Sequence, residues 1–155
     1  MTKRSDIYLE IFDAGDLVKI EPHKAIKSNS SLDDWDRNWV AAKVTVKGGA
    51  FSGQYAANFM TTEFELLKRD FKKLNEDFNA TVNFEPLEGQ LKLIISGDGL
   101  GHFNVKCTAQ DQPGIGGSLS FDLSFDQTEL AQLINDLNNI TRSFPILGDM
   151  KIKNE

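Results

Sequence analysis

Cysteine and histidine are nearly missing from this chain, which holds one of the first and two of the second. The lone Cys107 forms no internal disulfide, and alternation with Phe103 and Val105 places it on the apolar side of a strand as a buried structural thiol. No cysteine or second histidine stands at ligand spacing from His23 or His102, so no zinc site is predicted. His102 and Cys107 are separated by an odd number of residues on one strand and should face opposite sides, which counts against a thiol nucleophile with an imidazole base. Long apolar runs are missing too. Nothing approaches the roughly 18 uninterrupted apolar residues of a membrane-spanning helix. Met1-Thr2-Lys3-Arg4 leads into a mixed, charge-bearing stretch, unlike a signal peptide. Positive charge is in deficit, with 17 Lys and Arg against 23 Asp and Glu and a formal net charge of -6. Such a surface repels nucleic acid and anionic membrane and favours encounter with basic partners. A cytoplasmic protein without metal or cofactor is the expectation.

A chain of 155 residues fits a single domain, 1–155, large enough to bury roughly two-thirds of its unfolded surface. The stretch 148–155 reads as a frayed, charged tail. Within the domain, Ser52 to Phe78 and Ser118 to Phe144 each run from an alternating strand into an amphipathic helix. Sliding one onto the other by 66 positions pairs identical residues at Ser52/Ser118, Phe59/Phe125, Thr62/Thr128, Glu63/Glu129, Leu67/Leu133 and Asp70/Asp136. Duplication explains this, and so does the core spacing that any two strand-then-helix units share.

Hairpins are predicted over Ile7 to Pro22 and Val40 to Phe59, the second turning at Gly48-Gly49. Thr62 with Glu65 reads as a capping box ahead of Phe64, Leu67, Phe71, Leu74 and Phe78. Further strands follow at Ala80–Glu85, Leu91–Ser96, His102–Gln110 and Leu119–Phe125. The last helix has Asp126 as N-cap, Glu129 at N3 and a stripe of Leu130, Leu133, Ile134, Leu137 and Ile140, so it should begin half a turn earlier than its counterpart and stop near Phe144, before Pro145. The predicted fold class is α+β, mainly antiparallel strands in one curved sheet or two packed sheets, with two helices and a ββββα plan occurring twice.

Candidate chemistry is thin. Gly97-Asp98-Gly99-Leu100-Gly101-His102 leads into a strand, not a helix, so it reads as a hairpin turn and not as a phosphate loop. Asp34, Asp36 and Asn38 have the spacing of the first calcium-loop ligands, but Trp39 and Thr45 stand where glycine and a bidentate glutamate are required. The cluster Asp33, Asp34 and Asp36 around Trp35 has the composition of a contact surface. Trp35 reads equally as its anchor or as a residue packed beneath the loop, and Trp39 reads as packing. Lys68, Arg69, Lys72 and Lys73 are interleaved with acids on the outer face of the first helix, as on a solvated surface. The second helix instead exposes Gln132, Asn135, Asp136, Asn138 and Asn139. A solvated face is the ordinary reading, and a surface that hydrogen-bonds a basic partner the sharper one.

Trp39-Val40 leading through Val44 and Val46 to Gly49-Ala50-Phe51-Ser52-Gly53, then Phe84-Glu85-Pro86-Leu87-Glu88, Leu119-Ser120-Phe121 and Asp126-Gln127-Thr128-Glu129-Leu130, resembles the WapI-family immunity proteins, small bacterial proteins. The resemblance covers Trp39 to Phe144, about two-thirds of the chain. It implies a cytoplasmic antitoxin that binds and blocks the toxic carboxyl-terminal domain of a contact-delivered wall-associated protein, in the named case a nuclease acting on tRNA. It brings no catalytic residues.

The expected function is therefore non-catalytic occlusion of a basic toxin domain, with Asp33, Asp34, Trp35, Asp36, Gln132, Asn135, Asp136 and Asn139 as candidate partner-binding residues and no catalytic, metal or cofactor site. The alternatives are a small-ligand binder or weak hydrolase in a cavity of the curved sheet, and a subunit that self-associates. Reversing the charges of Asp33, Asp34 and Asp36 is expected to slow association with a basic partner and flatten its salt dependence. Stopped-flow association rates that do not change would remove this loop from the interface.

Overall fold

The computed structural model describes residues 7–26 and 36–148. The elements run β1 (Leu9–Asp13), β2 (Asp16–Ala25), a single 3-10 turn (Asp36–Asn38), β3 (Trp39–Gly48), β4 (Phe51–Met60), α1 (Thr61–Glu76), β5 (Thr81–Phe84), β6 (Leu91–Gly97), β7 (His102–Gln110), β8 (Ser118–Asp126) and α2 (Gln127–Ser143). The strands form two four-stranded antiparallel sheets, ordered β1-β2-β3-β4 and β5-β6-β7-β8. Each sheet is followed by one helix. The ββββα plan does occur twice, and of the two arrangements expected the chain adopts two sheets.

Period-two alternation decides which face is buried. Val40, Ala42, Val44 and Val46 are buried along β3, opposite Phe59 and Ala57 of β4. In the second sheet Phe103, Val105, Cys107 and Ala109 of β7 face Leu123 and Phe125 of β8 and Leu91, Leu93 and Ile95 of β6. A four-stranded sheet with one apolar face needs a cover. Here each helix covers strands of both sheets: α1 packs on β4 and β5, α2 packs on β8 and β1, and the helices pack on each other. Fully buried Phe64, Leu67, Phe71 and Leu74 of α1 and Leu130, Leu137 and Ile140 of α2 contribute about 1.5–3 kcal/mol each before entropy is subtracted. Phenylalanine rings tie the layers together: Phe59 meets Phe64 at 5.4 Å and Phe84 at 6.2 Å, while Phe125 meets Phe103 at 5.1 Å and Phe71 at 6.4 Å.

Polar contacts lace the two seams between the sheets. Asp13 at the end of β1 accepts the backbone N–H and the hydroxyl of Ser124 in β8, at 3.0 and 3.1 Å. At the other seam the Tyr55 hydroxyl donates to the Gln90 carbonyl, and the buried Gln90 amide donates back to the Ala56 carbonyl at 3.0 Å and to that of Asp111 at 3.2 Å.

Two expectations about helix ends are corrected. Thr62 does not cap α1. The helix begins at Thr61, Met60 is the N-cap, and the carboxylate that reaches back to the cap N–H is that of Glu63, at 2.7 Å. The preceding strand runs on to Met60, and the buried Thr61 hydroxyl is taken by Asn38 at 2.8 Å. Asp126 does cap α2, accepting from the Glu129 N–H at 3.0 Å. Thr61 and Gln127 are themselves 66 positions apart, so the helices start in the same register and neither leads the other. The salt-bridged helix surface expected around Lys68 is present, but Lys68 itself is not fully solvated. Its ammonium pairs with Glu65 at 3.0 Å and donates to Thr141 of α2 at 3.1 Å, inside the helix–helix contact. Of the tail expected to fray, all but Gly148 lies outside the described residues.

Gly97, at the end of β6, shows how closely the halves meet. A Cβ there would lie 1.8 Å from the Phe78 carbonyl oxygen, which follows α1. Gly97→Ala is expected to lower stability in urea denaturation by about 3 kcal/mol, since backbone must move to admit the methyl. Gly53→Ala, whose Cβ would meet only a Val46 methyl at 3.8 Å, should stay within about 0.5 kcal/mol.

Candidate functional site

Because each helix lies against the first strand of the other half, the fold makes two related grooves. One runs between α1 and β5 and is bordered by Glu63, Leu66 and Asp70 from the helix and Asn83, Glu85 and Pro86 from the strand and its turn. The other runs between α2 and β1. Its floor is Ile11, Phe125 and Leu133, and its rim is Glu10, Phe12, Glu129 and Gln132. The helix positions correspond through the 66-residue shift: Glu63 with Glu129, Leu66 with Gln132, Leu67 with Leu133.

The grooves differ in what fills them. The β5–β6 turn folds back over α1, Pro86 forms a wall, and the Leu87 N–H donates to the second oxygen of Glu63 at 2.6 Å. Only about 40 Å³ remains free. The β1–β2 connection is instead a two-residue turn, Ala14-Gly15, with both residues at positive φ (51° and 100°). That is the tightest hairpin geometry, and it reverses the chain before any part of it can cover α2. The α2–β1 groove therefore stays open, with a volume of about 230 Å³.

Charge at the open groove is negative. Partial desolvation pushes the Glu129 carboxyl above the ordinary glutamate range, and the neighbouring Asp126 and Asp13 carboxylates add to that by repulsion. Beside it the Gln132 amide donates to Asp136 at 2.9 Å, one turn along the helix. Asp136 is also shifted upward by desolvation, an effect that this hydrogen bond opposes. Phe12 stands at the rim with 54% of its surface exposed.

Of the residues proposed from sequence, Gln132, Asn135, Asp136 and Asn139 share one face of α2, with all but the half-buried Asp136 exposed. Gln132 joins this face to the groove. Asp36 opens the 3-10 turn before β3, and Asp33, Asp34 and Trp35 lie outside the described residues. Sequence reasoning missed Glu10, Phe12 and Glu129 as site residues. Glu129 had been read only as a helix cap. A signal did exist for Phe12: it is an aromatic residue on the polar side of β1, where Ile7, Leu9 and Ile11 fill the apolar side.

The pair considered for catalysis is separated, as its odd spacing predicts. His102 is exposed and pairs with Asp98 at 3.3 Å in the β6–β7 turn, where Asp98 also accepts the Leu100 and His102 N–H groups. Those two N–H groups hold the Asp98 carboxyl low. Cys107 is 1% exposed, and burial pushes its thiol up to about 12. The Gly97–Gly101 run forms the expected turn and leads into β7, not into a helix. Native protein at pH 8 should leave Cys107 unreacted with a thiol-specific disulfide reagent, and denaturation should release one equivalent; fast reaction of the native state would contradict the burial.

Among solved structures the chain is similar to one described as crystal structures of Trypanosoma bruciei MRP1/MRP2, with a TM-score of 0.50 and 11% identity, covering 93% of this chain and 88% of that one. At that identity the likeness concerns the fold alone. No curated protein matches the chain. The model of the immunity protein WapI-like family matches residues 9–145, from the start of β1 to just beyond α2. The chain belongs to the WapI-like immunity protein family.

Proposed function

We propose that this chain is an immunity module that binds a basic toxin domain and neutralises it by occlusion, without catalysis and without a cofactor. Family membership over residues 9–145 carries the reading. An excess of acidic residues, with a net charge of -6, supports a basic partner, since opposite charge speeds encounter and disfavours wrong partners. The contact face we assign is the exposed side of α2, through Gln132, Asn135, Asp136 and Asn139, with the Asp33, Asp34, Trp35 and Asp36 loop as a further candidate. The open α2–β1 groove, about 230 Å³, is below the roughly 300–1,000 Å³ of small-molecule sites, which favours a side chain of a protein over a free ligand. A larger groove of about 440 Å³ on the second sheet does reach that range, so the size argument applies to the α2–β1 groove alone; the larger one is lined by Glu85, Lys92, Thr108, Gln110 and Ser118 among others. Glu85 and Lys92 are paired there at 3.0 Å.

The test is protection. Cells producing a toxin domain encoded beside this chain should resume growth when the chain is co-produced, and the two should co-elute in size-exclusion chromatography. A chain that gives no protection, recovers no protein partner and retains a small molecule instead would sink this reading.

A further inference from the structure

The two grooves are variations on one piece of geometry, and one of them shows its occupant. In the α1–β5 groove a turn of the chain itself is seated on the helix: Pro86 walls the cleft and the Leu87 N–H donates to Glu63. In the α2–β1 groove the equivalent glutamate, Glu129, stands over an apolar floor that no turn of the described chain closes. The rims differ in chemistry as well. Where the closed groove has Leu66 and Asn83, the open one has Gln132 and Glu10; the closed groove is bordered by Glu63, Asp70 and Glu85, one of them already engaged by the turn, and the open one by Glu10 and Glu129.

We propose that the open α2–β1 groove is the docking site for a lysine- or arginine-bearing turn of the partner protein, seated on α2 as the β5–β6 turn is seated on α1. This rests on the immunity reading and names the place and chemistry of the contact. The partner's aliphatic stem lies along Ile11, Phe125 and Leu133, Phe12 closes over it, and its cationic head reaches Glu10 and Glu129 at the rim. Long basic side chains suit such a site because the apolar stem and the charged tip are satisfied by different walls. Next to the groove, Gln132 and Asp136 continue the contact along α2. The arrangement places an exposed aromatic beside carboxylates, a composition common at the energetic centre of interfaces.

The experiment uses the full chain and the toxin domain encoded beside it, with affinity read by titration calorimetry at two salt concentrations. Phe12→Ala and Glu10→Lys are each expected to weaken binding about tenfold or more, and Glu129→Lys further. Lys72→Gln, on the exposed side of α1, should stay within about twofold. Glu129 neighbours the α2 cap, so circular dichroism accompanies every variant. Phe12 and Glu10, on the edge strand, carry the test if Glu129→Lys does not fold. Tight binding by the wild type that all three groove variants retain would overturn the docking site and leave the immunity reading standing. Absence of binding by the wild type would overturn the immunity reading and the groove's occupant with it.

Discussion

The burial of each helix against the other half's first strand is the contact on which the rest of the molecule depends. Neither sheet can stand alone, because one face of each is a continuous apolar surface and the helix that follows it in sequence covers only part of that surface. Crossing α1 onto β5 and α2 onto β1 completes both covers at once. It also makes the halves interdependent, since removing either one would strip a strand-facing stripe of Leu and Phe from the other. The polar seams add direction to this packing. Asp13 to Ser124 and Gln90 to Ala56 fix how the sheets meet, at about 1 kcal/mol per hydrogen bond, against several times that from the buried side chains of each helix.

Crossed packing carries a geometric by-product. A helix laid beside a strand leaves a cleft along the join, and doing this twice leaves two. One cleft is sealed by a connection six residues long, Glu85 to Gln90, whose N–H groups include a donor for Glu63. The glutamate that begins as a helix cap thereby also anchors a loop, which suits a carboxylate with two oxygens and a desolvated setting that pushes its proton affinity up. The other cleft is flanked instead by a tight hairpin at Ala14-Gly15, and no turn of the described residues closes it. The buried stripe keeps its apolar character in both arrangements, with Phe64, Phe71 and Leu74 matched by Leu130, Leu137 and Ile140. The difference resides in loop length, where change costs little stability.

Much of this fold was legible in the sequence because it rests on periodicity. Alternation in Val40 to Val46 and in Phe103 to Ala109, the three-and-four spacing of Phe64 to Leu74, and the Asp126 cap each depend on residues close in sequence. The α1 start was misplaced by one residue because Thr62 and Glu65 also satisfy the capping pattern, and only the contact of Thr61 with Asn38 decides against it. The groove was not legible. Its walls come from positions 10–12 and 125–133, and no local pattern says which strand a helix will cover. The repeat did pair Glu63 with Glu129 through the 66-position shift. What it lacked was the knowledge that one of the two carboxylates is engaged by a turn.

The two helices also divide their exposed surfaces according to this packing. Lys68, which looks like one of four solvated cations in the sequence, is withdrawn into the helix–helix contact by Thr141 and Glu65. The Thr141 hydroxyl turns its own proton to the Leu137 carbonyl, so it receives the lysine while remaining satisfied inside the contact. Cationic charge on α1 is thus partly neutralised and partly carried to the far end, by Lys72 and Lys73. On α2 the corresponding outward positions hold amides and Asp136, with Arg142 confined to the last turn, where a cation opposes the carbonyl ends of the helix. The outward surface of α1 is therefore a mixture of both signs, whereas that of α2 is mostly amides with one carboxylate. The matching buried faces give both halves the same packing, and the two helices differ only in what they turn outward.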